Sequence, residues 1–240
     1  MKRPAAIKPL AARAHHTKQQ YAYQTLRASI LKGQVAPGTR LVIDDLASHF
    51  AMSIIPVREA LRLLQSEGLV MSVAHVGATV APISRASVAE VFTLLEGLEV
   101  VAARTAAERA DAAELDRLAT IVAGMDQALD ANRPQRWAVL NTRFHMAISA
   151  LTAMPLLQQM LQRAFDHWDR IRRFYFSGVL IHRARRAQAE HHLMLEHMRS
   201  RDLAALEAVC RQHNQQALAA YTAYLDAAES APAAASGRGA

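Results

Sequence analysis

Cysteine occurs once in this sequence, at position 210, so no disulfide can close within the chain, and a lone thiol suits a reducing cytosol. Aromatic residues are equally sparse at 5%, and the 240 residues include only 9 Gly and 8 Pro. That is too few turn formers for the many short strands of an all-β sandwich or barrel. Long apolar runs are missing as well: none approaches the roughly 18 residues needed to cross a bilayer. The basic start, Met1-Lys2-Arg3-Pro4, is not followed by a continuous apolar stretch and does not read as a secretory signal. The expectation is a cytoplasmic protein with no membrane partner. What is abundant is apolar side chain, 52% of the total, against 20% charged residues. Such a balance supports one or two packed cores and argues against a disordered or fibrous chain.

The formal charge of +7 is unevenly placed. The first 86 residues hold 11 Lys or Arg against 4 Asp or Glu, whereas the remaining 154 hold 17 of each sign, so the whole excess belongs to the N-terminal third. Concentrated basicity fits a polyanion partner, because Lys and Arg facing phosphates release condensed counterions. A solvated basic surface with a charged tail fits the count equally well, and the residue pattern has to decide.

From Gln20 to Lys32, Tyr23, Leu26, Ile30 and Leu31 are spaced by three or four, as on one helix face, and Gly33 stops that helix. Pro37-Gly38 marks a turn, after which Asp44 or Asp45 can open a short helix containing Leu46, Ala47 and Phe50. Ser53 is placed to cap a third helix with Val57, Ala60, Leu61 and Leu64 as its buried stripe, while Arg58, Arg62 and Gln65 fall on another face. A short helix, a tight turn and a basic-faced helix suggest a helix-turn-helix. After Gly68, the segments 69–73 and 78–81, separated by His75-Val76-Gly77, read as a β-hairpin, where a wing would lie.

These residues resemble the winged helix-turn-helix of the GntR family of bacterial transcription regulators. The match runs from about Tyr23 to Pro82. It is carried by Ile30-Leu31-Lys32-Gly33, Pro37-Gly38, Leu41, Leu46-Ala47, Pro56-Val57-Arg58-Glu59-Ala60-Leu61, Leu64, Glu67-Gly68-Leu69-Val70 and Gly77. The resemblance implies that the helix from Ile54 to Gln65 enters the major groove and the hairpin reaches the minor groove, with Ser53, Ile54, Ile55, Arg58, Arg62, His75 and Gly77 as DNA-contacting positions. Arg58 can form bidentate hydrogen bonds to guanine or clamp a phosphate; the alternative is an ion pair with Glu59 or Glu67. Where the family usually has Ser-Arg-Thr-Pro, this chain has Ser53-Ile54-Ile55-Pro56. Two isoleucines cannot hydrogen-bond base edges but can pack on thymine methyl groups, so the operator is expected to be read partly through thymine contacts and DNA shape.

From Ser87 onward strand signals vanish. Helical periodicity fits segments near 87–110, 112–131, 134–151, 155–177, 182–200 and 202–228, with Asp111 and Asp202 as helix starters and Pro134 and Pro155 near first-turn positions. Leu94, Leu98, Val101 and Thr105 recur on one face, as do Leu115, Leu118, Val122, Met125 and Leu129. The fold class is therefore mainly α: an N-terminal winged helix-turn-helix with a small β-hairpin, then an all-α antiparallel bundle. The expected organisation is a basic tail over 1–17, a DNA-binding domain over 18–82, a linker over 83–86, a helical effector and dimerisation domain over 87–228, and a tail over 229–240.

Within the helical part, Asn141 and His145 lie four apart on one helix and share a face. His191 and His213 lie on two later helices, each flanked by apolar positions such as Leu195, Val209 and Ala217. Facing helices of a bundle are where metal sites are built, although satisfied core or surface histidines would show the same spacing. Here too there is a resemblance: Asn141-Thr142-Arg143-Phe144-His145 looks like the Asp/Asn-x-x-Phe-His motif of the FCD effector domain of one GntR branch. Glu190-His191 and Gln212-His213 resemble that domain's other two ligand motifs. The resemblance implies a six- or seven-helix bundle whose three histidines and Asn141 hold a divalent metal beside an effector pocket. Three imidazoles favour zinc or nickel, and Asn141, replacing the commoner Asp, contributes no charge.

An organic acid is the expected effector, with Arg104 and Arg143 as candidate anion partners. Leu95 stands where the family often has an arginine facing the pocket, which points to a less anionic or more apolar ligand. Cys210, one turn before His213, reads as an inert buried thiol. These features together imply a regulator, most often a repressor in this branch, that binds a palindromic double-stranded operator as a homodimer and is not an enzyme. Two alternatives stay open: a metalloenzyme using the three histidines to activate water, and a regulator whose metal is itself the signal.

Overall fold

The computed structural model describes residues 17–74 and 76–230. In chain order the elements are α1 (Lys18–Leu31), β1 (Arg40–Leu41), α2 (Ile43–His49), α3 (Ile54–Ser66), β2 (Val70–Val73) and β3 (Gly77–Val80), followed by α4 (Arg85–Arg109), α5 (Ala112–Asp130), α6 (Pro134–Leu151), α7 (Pro155–Ser200) and α8 (Leu203–Ser230). They form a winged helix-turn-helix and a helical bundle. Two compact units result: one runs to Ser84 and takes in Asp169–Phe174 of α7, and the other comprises Arg85–Trp168 and the chain from Tyr175. Helix α4 begins inside the segment 83–86 that reads as linker in the sequence.

In the first unit, α1 starts at Thr17 through a capping box. The Thr17 hydroxyl accepts from the Gln20 amide at 3.2 Å, and the Gln20 side-chain carbonyl accepts from the Thr17 amide at 3.1 Å. Two otherwise orphaned donors are thereby satisfied. At the other end Gly33 takes a φ of +68°, and a Cβ there would lie 3.4 Å from the Phe174 ring, so both backbone and space demand glycine. Asp44 and Asp45 do not cap α2 as the sequence suggests. Val42 holds that position without a side-chain bond, and the two acids sit in the first turn, facing the positive end of the helix dipole. Val57, Ala60, Leu61 and Leu64 of α3 are buried, packed with Leu26, Ile30, Leu46 and Val80. Glu67 clasps α1 to the end of α3: Arg27 donates to one carboxylate oxygen at 2.7 Å and the Tyr23 hydroxyl to the other.

The hairpin pairs Val70 with Val80 and Val73 with Gly77, antiparallel. A third strand, β1, pairs Arg40 with Thr79 and gives the order β1-β3-β2. Sequence reading missed β1 because two residues are too short to display alternation.

In the second unit, α4 packs on α8 and α6, and α5 on α6. Ala102, Ala103, Ala106 and Ala107 are almost completely buried on α4, and their small side chains permit close helix approach. The apolar row Leu94, Leu98, Val101 and Thr105 is not the core face: Leu94 is 50% and Val101 46% exposed, while Val88, Phe92, Leu95, Glu99 and Ala102 face inward. Helix α5 begins with a second capping box, Asp111 with Glu114, and buries Leu118, Val122 and Met125. Pro134 and Pro155 occupy first-turn positions of α6 and α7. Asp202 accepts from the Ala205 amide at 3.1 Å ahead of α8.

Helix α7 corrects the expected break between 177 and 182: it is continuous over 46 residues. Gly178 costs a helix only about 1 kcal/mol relative to alanine, and no proline follows Pro155 before Ser200, so nothing there is strong enough to end it. Among the described residues the unit therefore has five helices rather than the six or seven the resemblance implies. No helix of the described residues is long and apolar enough to cross a membrane.

Leu64 is fully buried at the centre of the winged unit. Leu64→Ala is expected to destabilise that unit by about 3 kcal/mol, through lost transfer energy and an incompletely collapsed cavity, as read by urea unfolding.

Candidate functional site

Helix α3 presents its first turn outward. Ile54 is 40% and Ile55 71% exposed, and Ser53, which precedes them, is exposed with no side-chain capping bond. Burying four apolar residues fixes the rotation of α3, and that rotation leaves Arg58 and Arg62 exposed on the other side. Arg62 pairs with Glu59 at 2.9 Å. Arg58 pairs with neither Glu59 nor Glu67 among the described residues, since Arg62 holds the first and Arg27 the second. In the wing, Gly77 is exposed with a φ of +93°, a conformation that the tight turn requires. His75 lies outside the described residues.

The second site is built from α4, α6, α7 and α8. His145, His191 and His213 are all buried, and one ring nitrogen of each lies within 4.8 Å of the others. Asn141, one turn before His145, is also buried and lines the same cavity as His145 and His213. Each ring is held from outside through Nδ1. His145 Nδ1 lies 2.8 Å from Glu99 Oε1, His213 Nδ1 lies 2.7 Å from Glu190 Oε2, and His191 Nδ1 lies 3.4 Å from Gln188 Oε1. Acceptors at Nδ1 place the ring proton there and leave Nε2 with its lone pair free for a metal. His191 Nε2 and Asn141 Oδ1 are buried with no hydrogen-bond partner. Unsatisfied buried acceptors are costly, and a divalent cation would satisfy both; the residues present fit a metal.

The outer partners are themselves anchored. Glu99 accepts from Asn214 Nδ2 at 2.6 Å, Glu190 accepts from Arg183 Nη2 at 2.5 Å, and Gln188 donates to the Val122 carbonyl and Asp126. Burial alone would raise the pKa of Glu99, but His145, His213 and Asn214 outweigh it and hold the carboxyl below its ordinary 4.5. Glu190 behaves likewise, burial being overcome by His213 and Arg183. Burial is the main force that pushes His191 well below 6.5, with His213 and His145 adding to it. Burial also lowers His213, against the opposing hydrogen bond from Glu190. Cys210 is buried and free, its thiol pushed up chiefly by burial, and it is not part of the histidine group.

A cavity of about 470 Å³ adjoins the histidines, walled by Phe92, Leu95, Phe165, Trp168 and Arg183 among others. Neither arginine picked from the sequence reaches it. Arg104 is exposed and paired with Glu207 at 2.8 Å and Glu108 at 3.5 Å. Arg143 lies in an open groove along α5 and α6 with Arg117 and Arg136. The reason is angular: Arg143 stands two residues from both Asn141 and His145, roughly 200° round the helix from each. Arg183 and Glu99 are the charged residues that sequence reading missed. A signal existed for Arg183, since positions 183, 187 and 191 form one i, i+4, i+8 stripe ending in a histidine. His192 is exposed and bonded to Asp126 at 3.0 Å, away from the centre.

Comparison with known proteins places both units. Residues 18–80 match the model of bacterial regulatory proteins of the gntR family, and residues 90–216 match the FCD domain. The HTH-type transcriptional repressor GlaR of Escherichia coli (strain K12) is 28% identical over 197 residues, covering 80% of this chain and 90% of that one. The HTH-type transcriptional regulator McbR of the same strain is 27% identical over 178 residues, covering 74% and 80%. The solved structure of E. coli McbR/YncC superposes with a TM-score of 0.69 at 22% identity, covering 88% of this chain and all of that one, which shows a shared fold.

The lowered pKa values carry a sign. A histidine depressed in the folded state binds its proton more readily when unfolded, so its contribution to stability is complete above the unfolded value of 6.5 and is lost as pH falls below it. Glu99 and Glu190 contribute above 4.5 and lose that contribution as pH falls through their lower folded values. Chelator-treated protein is therefore expected to lose melting temperature from about pH 6.5 downward, with a further loss below about 4.5. A flat profile between pH 7 and 5 would contradict the neutral, buried His191.

Proposed function

The chain belongs to the gntR family of bacterial regulatory proteins and carries an FCD domain, and from that premise we propose that it is an effector-responsive, metal-containing transcriptional repressor acting as a homodimer. A regulatory role in transcription follows from the family. The relatives it matches are named as regulators, which points away from an enzyme. The repressor sense draws its support from GlaR, which is named a repressor.

On this reading α3 lies in the major groove and the wing tip near Gly77 beside the minor groove, with Arg58 and Arg62 as the cations. The observation that carries DNA reading by α3 is the exposed pair Ile54-Ile55 next to an Arg58 that no carboxylate holds. Apolar side chains at 40% and 71% exposure gain free energy by burying thymine methyl groups. The exposed row Leu94, Leu98 and Val101 on α4 supports the homodimer, because a second copy would cover it. A palindromic operator follows from a two-fold dimer.

The metal would be held by Asn141, His145, His191 and His213, with zinc or nickel favoured by three imidazoles. When bound, it supplies a Lewis-acidic positive charge beside the cavity. Glu99, Gln188 and Glu190 hold the ring orientations by accepting at Nδ1. An organic acid in the cavity then changes operator affinity by binding one arrangement of the protein better than another, a population shift in which no bond is broken.

Arg58→Ala is expected to weaken operator binding by about 1–3 kcal/mol and to reduce its salt dependence, measured by fluorescence anisotropy. Replacing operator thymines under α3 with uracil, which removes only the methyl group, should weaken binding as well. A footprint dominated by guanine contacts beneath Ile54 would sink the thymine reading. For the metal, elemental analysis of purified wild type should find about one divalent ion per chain, and His191→Ala should lose most of it; equal content in both refutes the ligand set.

A further inference from the structure

Arg183 is 8% exposed, lies on α7 two turns before His191, and lines the cavity beside the histidines. Its Nη2 is fully used, donating to Glu190 Oε2 at 2.5 Å and to the His213 carbonyl at 3.2 Å. Its Nε and Nη1 are buried and have no hydrogen-bond partner. A guanidinium cannot shed its proton, so these donors remain charged and unsatisfied in a wall otherwise made of rings and aliphatic groups. An oxyanion is the chemical group that removes this penalty most completely.

The rest of the wall limits what the anion can be. Phe92, Leu95, Phe165 and Trp168 supply apolar surface, and Leu95 is itself buried. Glu99 also lines the cavity as a carboxylate. Among the described lining residues Arg183 is the one arginine or lysine, and Glu190 already offsets part of its charge. A second carboxylate on the ligand would meet either aromatic rings or Glu99. The volume of about 470 Å³ falls within the range of about 300–1,000 Å³ usual for small-molecule pockets.

We infer that the cavity takes a small monocarboxylic acid with an apolar body, its carboxylate accepting hydrogen bonds from the spare N–H groups of Arg183 and its body lying against Leu95, Phe165 and Trp168. This rests on reading the helical unit as effector-binding, and it narrows that effector from organic acids in general to monoanions. It also assigns to Arg183 the role that the sequence suggested for Arg104 and Arg143.

The test is calorimetric titration of the full-length, metal-containing protein with 3-phenylpropanoate, its uncharged amide and succinate. The monoacid should bind, with the amide and the diacid each weaker by about tenfold or more, the scale of losing a charge-assisted hydrogen bond or burying a second charge. Arg183→Lys, which keeps a cation for Glu190, should cut monoacid affinity by about tenfold with metal content unchanged. An amide as tight as the acid, succinate binding more tightly than the monoacid, no binding of the monoacid at millimolar concentration, or an Arg183→Lys protein of wild-type affinity would each overturn the inference. The ligand series on wild type decides the matter even if the variant does not fold. Binding is read without DNA, so an operator affinity indifferent to bound monoacid would count against effector-controlled regulation while leaving this site standing.

Discussion

Burying charge inside a helical bundle is unfavourable unless every charged group finds a partner, and the second unit of this protein is organised around meeting that condition. Three imidazoles, two carboxylates and a guanidinium sit in its interior, carried by α4, α6, α7 and α8. Glu99 joins α4 to His145 of α6 and Asn214 of α8; Glu190 joins α7 to His213 of α8. Losing one member would strand its partner, at a cost of about 3–5 kcal/mol for a buried ion pair. The polar centre thus sets how four helices face one another, more specifically than the surrounding apolar contacts can. The same arrangement leaves His191 Nε2, Asn141 Oδ1 and two nitrogens of Arg183 unsatisfied. A bundle that pairs its polar atoms so carefully elsewhere has kept these for something that is not protein.

The first unit obeys a simpler rule. Its core is apolar throughout, and a recognition helix is useful only if its rotation is fixed. Val57, Ala60, Leu61 and Leu64 fix it by burial, and the clasp of Arg27 and Tyr23 on Glu67 ties its far end to α1. Clasping Glu67 has a second effect, since it removes a carboxylate that would otherwise compete for Arg58. Charge segregation completes the division of labour. The basic excess lies wholly in the first 86 residues, where phosphate affinity is needed, and the neutral bundle is free to use its charges internally.

Much of this was legible in the residues. Helical spacing located α1, α3, α5 and α6 to within a few positions, and capping residues such as Asp111 marked real helix starts. Asn141 and His145 could be paired because a four-residue spacing on a helix is a statement about direction. Elsewhere the signals were too weak or too local. Two-residue β1 has no period to detect. Gly178 resembles a break but costs too little to make one. Leu94, Leu98 and Val101 form a good apolar row, yet periodicity cannot say whether a row faces its own core or another molecule, and here the core took the row led by Leu95 and Glu99.

What the sequence determined by itself, then, was every property that depends on neighbours along the chain: mainly helical class, a basic head with a hairpin wing, the identity of the metal-binding histidine candidates, and the isoleucines at the start of α3. Tertiary structure alone decided which charges meet. Glu99 and His145 are 46 positions apart, and Arg183 and the His213 carbonyl are 30 positions apart. No local pattern encodes such encounters, because they depend on how helix faces rotate when their apolar sides are buried. That rotation turned Arg104 and Arg143 outward and brought Arg183 into the cavity, and so it chose the arginine an acid would meet.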